Sequence, residues 1–224
     1  MGDVNQLAWV KAHEDRVRAP ILEIGSKIYS AGVSMDYRNL YSNRGLYLGI
    51  DMQPGDGVDL VADLTTDPRT WPEPLRSTKF RTIICMSVME HVRDVYRFAA
   101  NLKQLLADDG TAFISVPWVW RFHGYPSDYW RFSPEALKFL FEPLALDEKS
   151  SCVSYQPAGE VAPLTAQGLS VYPDYDKDVA PPPAKKGAIA ALRAVCGKLF
   201  PAPARGRRQV LYPTMINAAF ARAA

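Results

Sequence analysis

The sequence has no long hydrophobic run and no leader-like start. No uncharged stretch exceeds 13 residues, and the one at residues 161–173 is interrupted by Pro, Thr, Gln and Gly, so no transmembrane helix is predicted. Asp3 lies where a secretory signal has positive charge, and no apolar core follows it. We therefore expect a cytoplasmic protein.

Cysteine is scarce as well. Cys85, Cys152 and Cys196 are odd in number and lack the spacing of metal ligands, which predicts reduced thiols rather than a disulfide framework. The chain is 48% hydrophobic and 22% charged, a balance that excludes a disordered chain. Its 224 residues are enough for one domain with a well-formed core and an appendage.

The net charge is only +2, but the charges are unevenly distributed. Residues 179–224 contain eight Lys or Arg and no Asp or Glu, whereas residues 1–178 contain 18 basic and 24 acidic side chains. An acidic body offers no long track for phosphates, so no nucleic-acid partner is predicted.

Five short apolar runs predict buried strands: residues 20–25, 46–51, 58–62, 80–86 and 111–116. The connections are long enough for crossovers, which indicates an α/β fold with a parallel sheet and helices on both faces. The clearest helix starts near Val95 and is expected to end at residues 108–110. A second helix begins after Ser133 and ends at about Phe141, and a weaker one covers residues 6–18.

Acidic residues occur at the ends of three runs. Glu23 stands two residues before Gly25, and Asp51 and Asp63 end the second and third runs. Ligands bind at the carboxyl ends of strands in such sheets. Three carboxylates there disfavour a pyrophosphate and favour a cationic nucleoside. The three-glycine fingerprint of nicotinamide cofactors is also missing after Gly25, which disfavours a nicotinamide-dependent reductase.

Five motifs accompany this pattern: Leu-Glu-Ile-Gly-Ser at 22–26, Tyr-Leu-Gly-Ile-Asp at 47–51, Val-Ala-Asp-Leu at 61–64, Ser-Val-Met-Glu-His-Val at 87–92 and His-Gly-Tyr-Pro-Ser-Asp-Tyr-Trp-Arg-Phe at 123–132. Over about residues 20–150 the chain resembles the class I S-adenosylmethionine-dependent methyltransferases, specifically the small bacterial ones grouped with methyltransferase type 11 domains. The resemblance implies a Rossmann-like, doubly wound sheet of seven mostly parallel strands. Its last strand would be antiparallel, within residues 209–222, after a helical insertion.

The resemblance also assigns a donor site by position, with S-adenosylmethionine as cofactor and S-adenosylhomocysteine as product. Glu23, Gly25 and Ser26 would face its methionine part, and Asp51 would hold the ribose hydroxyls. The other implied contacts are Met52 on the adenine face, Asp63 and Leu64 at the adenine edge, and Met86 and Ser87 along the homocysteine part. The sequence departs from the family at Lys27-Ile28, where a second loop glycine is usual.

Two of the three histidines follow strands on the ligand side of the sheet. His123 is the preferred general base, with Asp128 either orienting it or bonding an acceptor hydroxyl, and His91 is the alternative base. His13 is expected at the surface. One imidazole and one carboxylate make a poor oxygen cage for Mg²⁺, so no metal is predicted.

Residues 118–132 form the most aromatic segment, which could wall a flat or sugar-like acceptor or simply pack as core. Its predicted substrate-binding residues are Trp118, Tyr125, Tyr129, Trp130 and Arg131. The predicted function is O-methylation of a sugar, glycan or natural-product small molecule by in-line transfer. The alternatives are an inactive S-adenosylmethionine-binding protein and N-methylation of a small-molecule amine.

We expect one methyltransferase domain over residues 1–224. Its parts would be an N-terminal helix at 1–19, a cofactor-binding core at 20–155, a loop and basic amphipathic insertion at 156–208, and the last strand at 209–224. The basic segment 184–208 is expected to cover the sheet or the acceptor pocket. A peripheral membrane contact is the less favoured alternative.

Overall fold

The computed structural model describes residues 4–29, 36–124, 127–154, 161–164 and 214–222, and these form one sheet with helices on both faces. Nine strands make up the described sheet, with β3-β2-β1-β4-β5-β9-β7-β8 as neighbours and β6 paired to β9. The strands are β1 (Ile21–Ile24), β2 (Tyr47–Asp51), β3 (Leu60–Val61), β4 (Phe80–Met86), β5 (Leu106–Pro117), β6 (Leu144–Leu146), β7 (Cys152–Ser154), β8 (Val161–Pro163) and β9 (Met215–Arg222).

The first five strands are parallel, and the last strand runs against them. Ile24 pairs with Ile50 of β2 and with Cys85 of β4, so the carboxyl ends of these strands meet at one edge. β9 is antiparallel to β5, with Val116 opposite Ile216. This confirms the predicted α/β class and the antiparallel last strand. The described sheet has nine strands, whereas the resemblance implied seven. Three of the nine, β6, β7 and β8, have only three residues each and are too short to show a period in the sequence.

Four α-helices lie in the described residues: α1 (Val4–Ala12), α2 (Tyr37–Tyr41), α3 (Val95–Leu105) and α4 (Pro134–Phe141). Side-chain caps fix where two of them begin. The Asp94 carboxylate accepts from the Arg97 N–H at 3.0 Å, and the Ser133 hydroxyl accepts from the Ala136 N–H at 3.1 Å. The predicted start of α4 is therefore confirmed.

The predicted boundary at residues 108–110 is wrong. α3 ends at Leu105, and β5 begins at once at Leu106, so these polar residues lie within the strand. The pairing of β4 with β5 shifts register between Phe80 and Thr82, which marks a bulge at this point. Two arginines, Arg18 and Arg81, pair with the exposed Asp109 carboxylate, which lets this acidic end of the strand join the sheet.

β3 is shorter than the predicted run of residues 58–62. The Asp59 carboxylate accepts a hydrogen bond from the Gly49 N–H at 2.7 Å, while the Asp59 N–H donates to the Gly49 carbonyl at 2.8 Å. A side chain thus takes the place of a backbone carbonyl in the ladder. Regular pairing with β2 is left only to Leu60 and Val61.

The N-terminal segment forms a helix with an unexpected buried face. The expected helix over residues 6–18 is α1 followed by a 3₁₀ turn at Glu14–Arg16. Its buried side chains include Gln6 together with Trp9 and Val10, so the inward face is partly polar. Because a polar residue occupies part of the buried face, apolar residues recur only weakly at helical spacing in this part of the sequence.

Gln6 begins a chain of buried hydrogen bonds across the sheet. Its amide nitrogen donates to the hydroxyls of Ser87 at 3.0 Å and Ser115 at 2.8 Å. The Ser115 hydroxyl donates to the Asn217 side-chain oxygen at 2.7 Å, and the Asn217 amide donates to the Ser154 hydroxyl at 2.7 Å. We call these five residues the polar chain. It links α1 to the ligand-side ends of β4, β5, β9 and β7.

The insertion predicted at 156–208 is only partly described. β8 lies inside it, where a loop was expected, and pairs with β7. The basic segment 184–208 and Cys196 lie outside the described residues. No helix in the described part of the chain is long and apolar enough to cross a membrane.

We predict that Gln6→Ala lowers the free energy of unfolding by about 2 kcal/mol, because it leaves the Ser87 and Ser115 hydroxyls buried without this donor. Urea denaturation monitored by tryptophan fluorescence measures the change. Lys11→Ala, an exposed position on the same helix, is the control and should shift stability by less than about 0.5 kcal/mol. Equal effects of the two substitutions would contradict a stabilising role for the polar chain.

Candidate active site

The turn after β1 brings the backbone close to the segment after β4. The N–H groups of Gly25 and Ser26 both donate to the Ile50 carbonyl, at 2.8 and 3.1 Å. Gly25 has φ +79°, and a Cβ there would lie 2.4 Å from a methyl carbon of Val88. Only glycine fits this turn, so the backbone itself forms the floor of the predicted donor site.

Two of the acidic residues at strand ends shape their own loops. Asp51 Oδ1 accepts from the Gln53 N–H at 2.9 Å, and Asp63 Oδ1 accepts from the Thr65 N–H at 2.7 Å and from its hydroxyl at 2.8 Å. Within the described ranges, the second carboxylate oxygen of each residue has no hydrogen-bond partner. Each acid therefore fixes a loop and keeps one oxygen for hydroxyl or amino donors of a ligand.

The neighbouring apolar residues divide into an exposed and a buried one. Met52 is 58% exposed beside Asp51, as a side chain that packs on a ligand face would be. Leu64 is 2% exposed and belongs to the core, so any contact of Leu64 with a ligand would be made by its backbone.

Glu23 differs from the other two acids in its surroundings. The Tyr47 hydroxyl donates to Glu23 Oε2 at 2.6 Å, and the Arg38 guanidinium stacks over the Tyr47 ring. Burial raises the pKa of Glu23 to about 7, partly opposed by the Tyr47 hydrogen bond. Near neutral pH this carboxyl is therefore only partly ionised.

The remaining predicted donor-site residues line the ends of β1 and β4. Met86 and Ser87 are both buried, and Ser87 has a positive φ of 54° that turns the chain at the end of β4. The buried Ser26 hydroxyl has no partner among the described residues. A Cβ at Gly49 would lie 2.8 Å from that hydroxyl oxygen, so glycine on β2 leaves room for it.

The two candidate bases lie next to each other, beyond the carboxyl ends of β4 and β5. His91 follows β4 in a 3₁₀ turn, Met89–His91, and His123 follows β5, with their ring centroids 4.9 Å apart. Their Nδ1 atoms face different oxygens. His91 Nδ1 lies 2.6 Å from the Ser127 carbonyl, and His123 Nδ1 lies 3.3 Å from Asp128 Oδ2. His123 and Asp128 are therefore neighbours in the structure, although His123 Nδ1 also lies 3.2 Å from the Arg121 carbonyl.

The buried Asp128 side chain anchors the segment at residues 118–132, which we call the aromatic loop. This side chain is 1% exposed, accepts from the His123 N–H at 2.9 Å and pairs with Arg131, whose Nη2 donates to Oδ2 at 2.8 Å. The hydrogen bond from Arg131 holds the pKa of Asp128 far below its ordinary value. Asp128 is a charged acceptor at any ordinary pH, which suits it to orienting His123.

The aromatic loop is fastened mainly by backbone oxygens. The Trp130 indole N–H donates to the Val92 carbonyl at 2.8 Å, and the Tyr129 N–H donates to the Glu90 carbonyl at 2.8 Å. Arg131, predicted to contact the acceptor, also donates to the Trp120 carbonyl, so much of its hydrogen bonding is internal. Tyr129 is 49% exposed and Trp118 is half-buried, whereas Tyr125 lies outside the described residues.

Sequence reasoning missed Glu90. It is 1% exposed beside the two histidines, and burial raises its pKa to about 7. Its Oε1 lies 4.0 Å from His91 Nε2, and its Oε2 has no partner among the described residues. The motif at residues 87–92 shows that this acid directly precedes His91, but not that it is buried or close to His123.

The family model described as a methyltransferase domain matches residues 15–147, more than half of the chain. The chain belongs to the methyltransferase domain family. Together with the fold, this membership confirms the predicted class I S-adenosylmethionine-dependent methyltransferase.

Similar solved structures show the same fold at low sequence identity. An S-adenosylmethionine-dependent methyltransferase from Archaeoglobus fulgidus is 13% identical with TM-score 0.52, covering 96% of this chain and 91% of its own. The YcgJ protein from Bacillus subtilis is 14% identical with TM-score 0.52, covering 99% and 100%. An O-methyltransferase from a Brevibacillus brevis trans-AT polyketide synthase, in complex with S-adenosylhomocysteine, is 16% identical with TM-score 0.51, covering 99% and 72%. No curated protein matches the methyltransferase significantly.

We predict that Gly25→Ala weakens S-adenosylmethionine binding at least about tenfold and lowers stability by about 1–3 kcal/mol, because its methyl group would overlap Val88 and force a strained turn. Calorimetry with the cofactor and thermal unfolding measure the two effects. Gly55→Ala is the matched control, since its added Cβ would meet only the flexible side chain of Lys27. Adding Val88→Ala to Gly25→Ala should recover part of the stability, and no recovery would exclude the overlap as the cause.

The raised pKa of Glu23 should make the stability of the protein depend on pH. Its pKa is about 7 when folded, against an ordinary 4.5, so the folded state holds the proton longer than the unfolded state. The methyltransferase should therefore lose stability as pH rises from about 4.5 to about 7, and Glu23→Gln should reduce that loss by as much as about 3 kcal/mol. Urea unfolding at a series of pH values measures it. Glu135→Gln, at an exposed acid, should leave the slope unchanged, and a slope equal in Glu23→Gln and wild type would refute the assignment.

Proposed function

We propose that this methyltransferase transfers the methyl group of S-adenosylmethionine to a hydroxyl of a small-molecule or glycan acceptor, with His123 accepting the proton. The observation that carries the proposal is the pairing of His123 with the buried Asp128 after β5, at the same sheet edge as the donor-site residues. A carboxylate facing Nδ1 orients an imidazole so that Nε2 can take a proton.

The donor site supports this proposal through groups that fit a nucleoside. The unpaired oxygens of Asp51 and Asp63 suit the ribose hydroxyls and the adenine amine, and the exposed Met52 suits the adenine face. The glycine turn at Gly25 lets the backbone approach the methionine part. The unpartnered Ser26 hydroxyl adds one more polar group beside that turn.

For the proposed reaction the protein needs mainly to position the acceptor and to supply a base for its hydroxyl proton. When bound, S-adenosylmethionine supplies a methyl group on a sulfonium centre that is already activated for displacement. The aromatic loop would place the acceptor oxygen in line with that methyl group, which contributes the larger share of the rate. His123 Nε2 would take the hydroxyl proton as the methyl group moves from sulfur to the acceptor oxygen, so that the products would be a methyl ether and S-adenosylhomocysteine. Asp128 stabilises the imidazolium that results.

The fold accommodates the proposed reaction, since the Brevibacillus brevis structure of the same fold is an O-methyltransferase. N-methylation of a small-molecule amine is the alternative that the same base would serve. His91 is the alternative base, and it lies beside His123 in the same cluster. The division into one domain over residues 1–224 and the cytoplasmic location stay predictions.

We predict that His123→Ala lowers kcat by about 10² to 10⁴ fold, because the base is lost, while the affinity for S-adenosylmethionine changes less than about twofold. Asp51→Ala should act mainly on cofactor affinity and weaken S-adenosylmethionine binding by about tenfold or more. Calorimetry measures binding, and mass spectrometry of methylated product measures turnover with a panel of sugars and phenols. His13→Ala is the control, because His13 Nδ1 contacts the Trp9 carbonyl on α1, at a different part of the chain.

Full turnover of His123→Ala would remove His123 from the mechanism. Cofactor binding by the wild-type chain without any methylated product across the panel would favour the inactive binding protein over the proposed enzyme. Product from amines but not from hydroxyl acceptors would favour N-methylation.

A further inference from the structure

Glu90, His91 and His123, which we call the triad cluster, bring three metal-ligating side chains together. One potential ligand atom from each lies within 4.8 Å of the other two. Glu90 is 1% exposed, and its Oε2 has no hydrogen-bond partner in the described part of the chain. A buried carboxylate oxygen without a partner is unfavourable unless a ligand supplies a proton or positive charge.

The hydrogen bonds of both imidazoles indicate where their protons lie. His91 Nδ1 is 2.6 Å from the Ser127 carbonyl, and His123 Nδ1 is 3.2 Å from the Arg121 carbonyl and 3.3 Å from Asp128 Oδ2. These oxygens can only accept, so each neutral ring carries its proton on Nδ1 and keeps a lone pair on Nε2. Metal-binding histidines have the same arrangement, with the second ring nitrogen donating to a carbonyl or carboxylate.

We propose that the triad cluster binds one divalent transition-metal ion, with Zn²⁺ as the best match. Two imidazole nitrogens and one carboxylate oxygen suit zinc and its first-row neighbours, whereas Mg²⁺ and Ca²⁺ prefer oxygen ligands alone. Three protein ligands leave a fourth position open, as in zinc sites that bind water or substrate.

The distances require a modest contraction on binding. Glu90 Oε1 and His91 Nε2 are 4.0 Å apart, whereas two ligands of one tetrahedral zinc lie about 3.4 Å apart. The potential ligand atoms of the cluster lie up to 4.8 Å apart, so binding requires the three side chains to rotate toward the ion. The nearby Arg131 charge is balanced by its ion pair with Asp128, which reduces its repulsion of a cation at the cluster.

The metal site changes what His123 does in the reaction. With an ion bound, His123 would be a ligand instead of the base, and a coordinated acceptor hydroxyl would release its proton to solvent water more easily, because the ion would lower its pKa. This catalytic consequence rests on the proposed function, whereas metal binding itself does not. A cation at this place would also give the buried Glu90 carboxylate an opposite charge as its partner.

The test uses the full chain, stripped with a chelator and then titrated with Zn²⁺ alone by calorimetry. We expect one equivalent to bind, and we expect Glu90→Gln, His91→Gln and His123→Gln each to weaken binding by about 100-fold or more. His13→Gln is the matched control, because it removes the third histidine of the chain without touching the cluster. Titration with Co²⁺ gives a second readout, a visible absorption band in wild type that the three cluster variants lack.

Failure of the wild-type chain to bind Zn²⁺ saturably would overturn the site, as would affinities in His91→Gln and His123→Gln equal to wild type. Measuring S-adenosylmethionine binding on the same samples separates the two proposals. Cofactor binding and turnover without Zn²⁺ binding overturn the metal site alone. Zn²⁺ binding without cofactor binding supports the metal site and overturns the proposed function.

Discussion

The Gln6 amide holds the ends of two central strands together at the edge where ligands are expected to bind. Its nitrogen donates to Ser87, directly after β4, and to Ser115 near the end of β5. The Ser115 hydroxyl in turn donates to Asn217 of β9. Buried hydrogen bonds of this kind fix relative position more narrowly than apolar packing does, because each donor has a defined direction. The turn that carries His91 and the loop that carries His123 both start from these strand ends.

Parts of the fold with a local cause could be predicted from the sequence. β4 has the predicted bounds because five of its seven residues are apolar, and α4 begins at Pro134, directly after the Ser133 cap. The parts that could not be predicted depend on partners far along the chain. The Asp59 side chain shortens β3 by bonding to Gly49, and arginines outside β5 allow the strand to begin among acidic residues. Neither effect leaves a periodic signal.

The candidate site divides in the same way. The strand-end acids and Gly25 are visible in the motifs. The structure places Glu23 and Asp51 in the last residues of β1 and β2, and Gly25 and Asp63 just beyond β1 and β3. The roles of Trp130 and Arg131 could not be read from residue type, because an aromatic ring or a guanidinium suits an acceptor wall and an internal anchor equally well. Glu90 was hidden for another reason. Its importance comes from burial next to a histidine 33 residues later, His123, and only the folded chain shows that proximity.

The attachment of the aromatic loop has a consequence for how this protein can diversify. The loop is joined to the segment after β4 by Tyr129 N–H to the Glu90 carbonyl, Trp130 indole to the Val92 carbonyl, and His91 to the Ser127 carbonyl. Carbonyl oxygens are the same whatever side chain their residue carries. Exposed positions such as Val119, Phe122 and Tyr129 can therefore mutate while the loop stays attached. Under the proposed function, in which this loop contacts the acceptor, such changes would alter acceptor preference without displacing His91 and His123.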